Sequence, residues 1–186
     1  MPQAGAVTPF PLLDGLPDAE LQALRLDGEA YRLGDGYVPI GIAPLPVTRA
    51  VAALGSRSPR LIAALGTAAW IWGAAPQPPE RGEFLVDLAA RWRPQFGEGL
   101  VVIESLVRAS DVVRWGRTAV TTPLRTALDL ARFRRDFTDD DAVAVRRLAT
   151  RHEFGLDEML RALDRSRNLS GKRSAAARLR AALSPS

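Results

Sequence analysis

Apolar side chains recur at helical spacing through the last third of the chain. One stripe repeats at i, i+3, i+4 and i+7, at Leu124, Ala127, Leu128 and Ala131. Similar stripes follow in residues 156–163 and 172–183. Thr122 before Pro123, and Thr138 before three aspartates, are typical helix starts, because a hydroxyl caps free N–H groups and carboxylates favour the positive end of the helix. The pattern predicts four helices, beginning near residues 123, 139, 156 and 172.

In the middle of the chain, apolar and polar residues alternate instead with the two-residue period of β-strands. Residues 84–88, 100–104, 111–115 and 118–121 predict four strands, with a turn at Gly116 and a loop or wide hairpin over 91–99. Ahead of them, Ser58 and Pro59 resemble a helix start, and Leu61, Leu65, Ala68 and Trp72 continue at helical spacing. This apolar segment, residues 61–75, is too short to span a bilayer. It predicts a buried core helix.

The first third divides into an arm and a small unit. Prolines and glycines predict an extended arm over residues 1–17. Asp18 is expected to cap a helix over 19–26, and residues 29–33 and 37–40 predict a hairpin around Gly34-Asp35-Gly36. A further helix is expected over 47–54. The predicted organisation is therefore an arm (1–17), a helix with a β wing (18–46) and an α+β domain with a basic C-terminus (47–186).

The amino-acid composition excludes several classes of functional site. Of 186 residues, 47% are hydrophobic and 25% charged, which is typical of a folded globular protein. There is no cysteine and one histidine, His152, so thiolate zinc sites and cysteine nucleophiles are excluded. Gly171-Lys172-Arg173-Ser174 lacks the first glycine of a phosphate loop, and consecutive aspartates at 139–141 point about 100° apart and cannot share one ion. We expect no catalytic residue, metal or cofactor, and, without a signal peptide, a cytoplasmic protein without membrane association.

Charge is concentrated towards the C-terminus. Residues 1–93 hold 8 basic and 9 acidic side chains (net −1), whereas residues 94–186 hold 17 and 12 (net +5). Beyond Asp164 no acidic residue follows, and six cations remain, Arg165, Arg167, Lys172, Arg173, Arg178 and Arg180. Such a block favours phosphate or carboxylate partners. The alternative is a solvated face; among the tryptophans, Trp92 is the best candidate for an exposed stacking residue.

Two segments together resemble a known family. Gly66-Thr67-Ala68-Ala69-Trp70-Ile71-Trp72-Gly73, and then Thr122-Pro123-Leu124-Arg125-Thr126-Ala127-Leu128-Asp129-Leu130-Ala131-Arg132, resemble the order found in actinobacterial AbiEi-type proteins, the antitoxins and regulators of type IV toxin–antitoxin systems. The wing at 34–38 and the C-terminal helices resemble the family too, so that the resemblance covers roughly residues 30–183. It implies that Thr122, Pro123, Arg125 and Asp129 form a structural family motif.

The resemblance also implies fold and partners. The fold is expected to be α+β, with a truncated winged-helix-like N-terminal unit followed by a mixed small-sheet and helical-bundle domain. The winged helix is shortened, and the sequence stops where longer relatives continue into a Vsr-like endonuclease domain. We therefore expect a short-form, non-enzymatic, antitoxin-like transcriptional regulator that binds DNA such as its own promoter, a cognate nucleotidyltransferase-type toxin, or both. Alternatives are an interaction module that has lost DNA binding and an inactive nuclease-family remnant. The DNA site, the toxin, the oligomeric state and the activity of the wing stay open.

Overall fold

The computed structural model describes residues 12–13, 15–55, 57–90, 99–165 and 171–184. Trp92, Arg167 and most of the predicted arm lie outside these ranges. Within them the chain forms seven α-helices and seven strands, which confirms the α+β class. In chain order these are α1 (Asp18–Leu26), β1 (Ala30–Leu33), β2 (Gly36–Pro39), α2 (Pro46–Leu54), β3 (Ile62–Ala63), α3 (Leu65–Ile71), β4 (Glu83–Asp87), β5 (Val101–Ser105), β6 (Val112–Trp115), β7 (Thr118–Thr121), α4 (Pro123–Phe133), α5 (Asp139–Arg151), α6 (Leu156–Asp164) and α7 (Lys172–Leu183).

Strands β1 and β2 form the predicted hairpin, with Tyr31 opposite Val38. The other five form one mixed sheet in the order β5-β4-β3-β7-β6. The short strand β3 lies in its centre, antiparallel to β4 and parallel to β7. Strands β6 and β7 are the predicted antiparallel pair around Gly116, with Val113 opposite Val120.

The sheet separates two apolar cores, because neighbouring residues of a strand point to opposite faces. Ile62, Leu85 and Ala119 face a core shared with helices α4 to α7. Ala63, Phe84 and Val120 face a second core shared with α2 and the hairpin. Helix α3 supplies side chains to both, Leu65 to the first and Trp70 to the second. The last four helices thus pack as a layer on one face of the sheet.

Two predictions for the middle of the chain are wrong. Residues 58–75 are not one helix: Ile62 and Ala63 form the central strand, and α3 begins only at Leu65. A central strand is buried on both faces, so its continuous apolar run does not show the alternation that identifies most strands. The wide hairpin, one of the two alternatives expected for residues 91–99, is also wrong, because β4 and β5 are parallel.

The predicted helix starts are confirmed at α4 and α5. The Thr122 hydroxyl accepts a hydrogen bond from the Arg125 N–H, and Pro123 occupies the first turn. At α5, Thr138 and Asp141 form a reciprocal capping box. At α1 the residue preceding the helix is Pro17, and no side chain caps it, so Asp18 is the first helical residue and not its cap.

A buried carboxylate joins the sheet to α3 and, through an arginine, to α4 and α5. Glu83 of β4 is 6% exposed, and it accepts a hydrogen bond from the Gly66 N–H of α3 at 2.7 Å and a bidentate pair from Arg134, which follows α4. Arg134 Nε also donates to Asp141 of α5 at 3.0 Å. Because a β-carbon on Gly66 would lie 2.7 Å from Glu83 Oε2 and 3.0 Å from Arg134 Nη2, only glycine fits beside this pair.

We expect Gly66→Ala to lower the free energy of unfolding by about 1–3 kcal/mol, since an added methyl group must displace a buried ion pair. Denaturant unfolding followed by circular dichroism measures the change. Gly155→Ser is the matched control, because it also adds a β-carbon, open space surrounds Gly155, its φ is negative, and serine is as acceptable as glycine at this helix N-cap. The control should change stability by only a few tenths of a kcal/mol. Equal effects of the two substitutions would contradict the role given to Gly66.

Candidate nucleic-acid interface

Arg125 of the family motif joins three parts of the fold. Its Nε donates to both carboxylate oxygens of Asp129, one turn further along α4, at 2.8 and 2.9 Å. Its terminal nitrogens donate to Asp111 Oδ2 at 2.8 Å and to Ser105 Oγ at 3.0 Å. The guanidinium therefore fixes the first turn of α4 against the end of β5 and the segment before β6. With Thr122 and Pro123 starting the helix, the structure gives all four predicted motif residues positions that organise α4.

Asp129 lies between two arginines inside the protein. Its side chain is fully buried, Arg125 contacts it on one side, and Arg132 Nη1 lies 3.5 Å from it on the other. Burial raises the pKa of Asp129 to about 6, and the attraction of Arg125 and Arg132 opposes this increase. A carboxylate without access to solvent cannot meet a substrate. Asp129 therefore holds the helix in place and offers no acid–base chemistry at a surface.

The cations of the predicted basic block that lie on α7 have different environments, because one face of this helix is buried and the opposite face is exposed. Ala175, Leu179 and Ala182 are buried against the helical layer. On the opposite face Arg173 and Arg180 are exposed, seven residues apart with the small Ala177 between them, and neither forms an ion pair with any residue that the structure describes. Lys172 pairs with Asp164 at 2.7 Å, while Arg165 is exposed at the end of α6. Arg173 and Arg180 are thus two cations of this helix for which the described part of the chain supplies no charged partner.

Arg178 has a different environment from its neighbours. Its guanidinium donates to the carbonyl oxygens of Ala131, Arg134 and Arg135 at 3.0, 2.7 and 3.0 Å and lies over the ring of Phe137. These carbonyls belong to the end of α4 and the residues after it, which have no partners within the helix. Arg178 therefore closes α4 and ties α7 to it, and three of its five N–H donors already bond carbonyls of the fold.

A second group of cations surrounds the end of α3. Arg49 of α2 donates to the Trp70 carbonyl at 2.6 Å, and Arg147 of α5 donates to the Ala74 carbonyl at 3.2 Å. Arg151, one turn after Arg147, reaches the same place next to Gly73. Burial lowers the pKa of Arg49, and the nearby charge of Arg151 lowers it further. The sequence alone does not indicate this arginine cluster, because Arg49 is about 100 residues away from Arg147 and Arg151 along the chain.

Aromatic side chains adjoin the arginine cluster. Trp72 packs against Trp115 with ring centroids 5.6 Å apart, and against the edge of His152 at 5.4 Å. The Trp72 indole N–H donates to the Thr121 carbonyl at 2.8 Å, so this ring is fixed in the fold. His152 ends α5 and is exposed, and burial of part of the ring lowers its pKa, as does Arg151.

A cleft of about 510 Å³ opens on the hairpin side of the sheet, between Gly34 and the segment 77–82. Trp70 and Phe84 line its base, and the pair Arg57–Asp35, 2.9 Å apart, lies at its rim. Within the described ranges, no group of three or more histidine, aspartate or glutamate side chains is placed to hold a metal ion. In the same ranges no helix is long and apolar enough to cross a membrane.

The contrast between Arg178 and its neighbours can be measured. Arg178→Ala should lower the free energy of unfolding by about 1–3 kcal/mol, because it leaves carbonyls at the end of α4 without donors. Arg173→Ala and Arg180→Ala on the same helix should each cost less than about 0.5 kcal/mol, since both side chains are exposed. Denaturant unfolding of the three variants tests this division. A destabilisation by Arg173→Ala as large as that by Arg178→Ala would refute it.

Similarity to a protein-family model covers most of the chain. No curated protein matches the sequence at a significant level. Among solved structures, the RV2827C protein from Mycobacterium tuberculosis is similar over 91% of this chain and 70% of its own, with 18% identity and a TM-score of 0.37, too low to transfer any feature. The family model of the AbiEi antitoxin C-terminal domain matches residues 61–183, from the central strand β3 to the end of α7. The chain therefore belongs to the AbiEi antitoxin family.

Proposed function

We propose that the protein is a non-enzymatic regulator of the antitoxin type, which binds nucleic acid through the exposed face of α7. The observation that carries the proposal is the pair Arg173 and Arg180, exposed on one helix face and without ion pairs in the described part of the chain. Family membership supports the antitoxin role. The proposal assigns nucleic-acid binding to only some of the six predicted cations, because Arg178 bonds carbonyls of the fold and Lys172 pairs with Asp164.

The geometry of this face suits a phosphate backbone. Positions seven apart on a helix lie about 10 Å apart along its axis and point in nearly the same direction. The residue between them on this face, Ala177, is small and exposed, so that the two side chains can extend without obstruction. Each guanidinium that meets a phosphate releases condensed counterions, which favours binding most strongly at low salt.

The buried carboxylates support the non-enzymatic part of the proposal. Glu83, Asp129 and Asp141 are the buried acidic side chains of the described residues, and arginines contact all three. Pairs of this kind hold elements together, and they leave no buried carboxylate free to act as a general acid or base. A carboxylate that acts as a general acid or base must reach the reacting group of a substrate, whereas these three side chains bond arginines of the fold.

The first test measures binding to a duplex of the protein's own promoter over a range of salt concentrations. Arg173→Gln with Arg180→Gln should weaken binding and reduce the slope of log K against log salt by up to about two, because two phosphate contacts are lost. Arg60→Gln with Arg117→Gln removes the same charge from exposed positions elsewhere and should leave the slope unchanged. Unchanged affinity and slope in the α7 double variant would refute the proposed interface.

The second test concerns the toxin. We propose that the partner is a nucleotidyltransferase-type toxin encoded by the neighbouring gene, in keeping with the antitoxin family. Co-expression should restore growth, and the two proteins should be recovered as a complex. If an acidic toxin surface uses the same face of α7, the Arg173→Gln/Arg180→Gln variant associates more slowly, and the difference disappears at high salt. If co-expression neither restores growth nor yields a complex, the antitoxin role loses its support.

A further inference from the structure

Two arginines from distant parts of the chain meet beside Gly73. The position that a β-carbon on Gly73 would take lies 3.3 Å from Arg151 Nη1 and 3.8 Å from Arg49 Nη1. The two nitrogens are therefore at most 7.1 Å apart, the sum of these distances. Gly73 has a φ of +72° and no side chain, so the backbone leaves open the space at which both guanidinium groups arrive.

The positive charge of this place is not balanced within the described residues. Among them, Arg49, Arg147 and Arg151 form no ion pair with any carboxylate. Their protein acceptors, the carbonyls of Trp70 and Ala74, are neutral dipoles at the end of α3. Like charges at this distance repel one another, and partial burial of Arg49 strengthens the repulsion. The arrangement thus costs the fold stability unless an anion joins it.

One donor of the cluster has no acceptor. Arg49 Nε is buried, and it makes no hydrogen bond to any of the described residues. Buried N–H groups without a partner are rare in folded proteins, and each calls for an explanation. Arg151, by contrast, is exposed, so that a ligand can reach the cluster from solvent.

The distance between the guanidinium nitrogens of Arg49 and Arg151 indicates which class of anion can bind both. Charge-assisted N–H···O bonds are about 2.8 Å long, so a tetrahedral oxyanion bridges two guanidinium nitrogens up to about 8 Å apart. A phosphate group offers several oxygens and the negative charge to neutralise both arginines, which bind phosphate in a planar fork. We propose that Arg49 and Arg151 form a binding site for a phosphate group beside Gly73, with Arg147 fixing the end of α3 next to it.

This site lies on α2, α3 and α5 and does not depend on the proposed interface on α7. The phosphate is carried either by a nucleic-acid backbone or by a free small phosphate, and the experiment separates the two sources. His152 follows Arg151 directly and is the one histidine of the chain. Its imidazole proton signals therefore report on this place without overlap in tag-free protein.

The test titrates the full, tag-free chain with inorganic phosphate and, separately, with a short DNA duplex, while NMR follows the His152 signals. Inorganic phosphate should shift them in a saturable manner and raise the pKa of His152, because it neutralises the Arg151 charge. Arg151→Gln should weaken phosphate binding by about tenfold or more. The control Arg161→Gln, an exposed arginine of α6, should bind within about twofold of the unaltered protein.

The two sources give different results. A backbone source is indicated when the duplex shifts the His152 signals, inorganic phosphate competes, and Arg151→Gln loses the shift. A free phosphate source is indicated when only inorganic phosphate produces the saturable shift. The Arg173→Gln/Arg180→Gln variant should keep the response to inorganic phosphate, so that a failure of the α7 interface is distinguished from a failure of this site.

Thermal unfolding provides a second readout. Removing the like charge should raise the melting temperature of Arg151→Gln above that of the unaltered protein in phosphate-free buffer, whereas a given phosphate concentration should raise it more in the unaltered protein than in the variant. The absence of a saturable His152 response to both phosphate and duplex, or equal phosphate affinity in Arg151→Gln, would overturn the proposal.

Discussion

Glu83 lies in a strand of the sheet, and burial would exclude its charge unless a cation accompanied it. Arg134 supplies that cation, and through Asp141 and the Gly66 N–H the same group of charges reaches α5 and the start of α3. The pairing fixes where the helical layer sits on the sheet. Arg125 does the same at the other end of α4, where it joins Asp129 and Asp111. Helix α4 is thus held by charge at both ends and by apolar packing between them.

The chemistry of arginine explains how one residue type serves both the fold and the proposed sites. A guanidinium is planar, offers five donors and is less strongly hydrated than an ammonium group, so it can be partly buried and still bond several acceptors. Arg178 shows the structural use, with three carbonyls of the α4 end. Arg173 presents the same group to solvent one and a half turns earlier on the same helix. Counting basic residues therefore does not locate a binding surface; the burial and the partners of each one do.

Local signals account for the parts of the fold that the sequence predicts. Thr122-Pro123 and Thr138 start their helices through contacts within a few residues, and α4 and α5 begin where these signals place them. The central strand β3 is different, because burial on both faces removes its alternation, and its neighbours β4 and β7 come from later in the chain. Parallel pairing of β4 with β5 likewise leaves no local mark. The resemblance to a family identified the motif, but not the contacts that explain it.

The two proposed surfaces differ in the same way, because the residues of one lie close together in the sequence and those of the other lie far apart. Arg173 and Arg180 stand in a visible block of charge, so the sequence points to them, and the structure adds that their face is exposed and that Arg178 is not part of it. Arg49 and Arg151 meet only because α2 and α5 both reach the end of α3. Two cations brought together in this way, without a carboxylate among the described residues, lower the stability of the free protein. The same repulsion becomes binding energy when a phosphate enters, because the anion removes it and gains two charge-assisted bonds. Folded stability and affinity for an anion are thus opposed at this position. Substituting Arg151 should move the two in opposite directions, whereas substituting Arg49 would also remove its hydrogen bond to the Trp70 carbonyl.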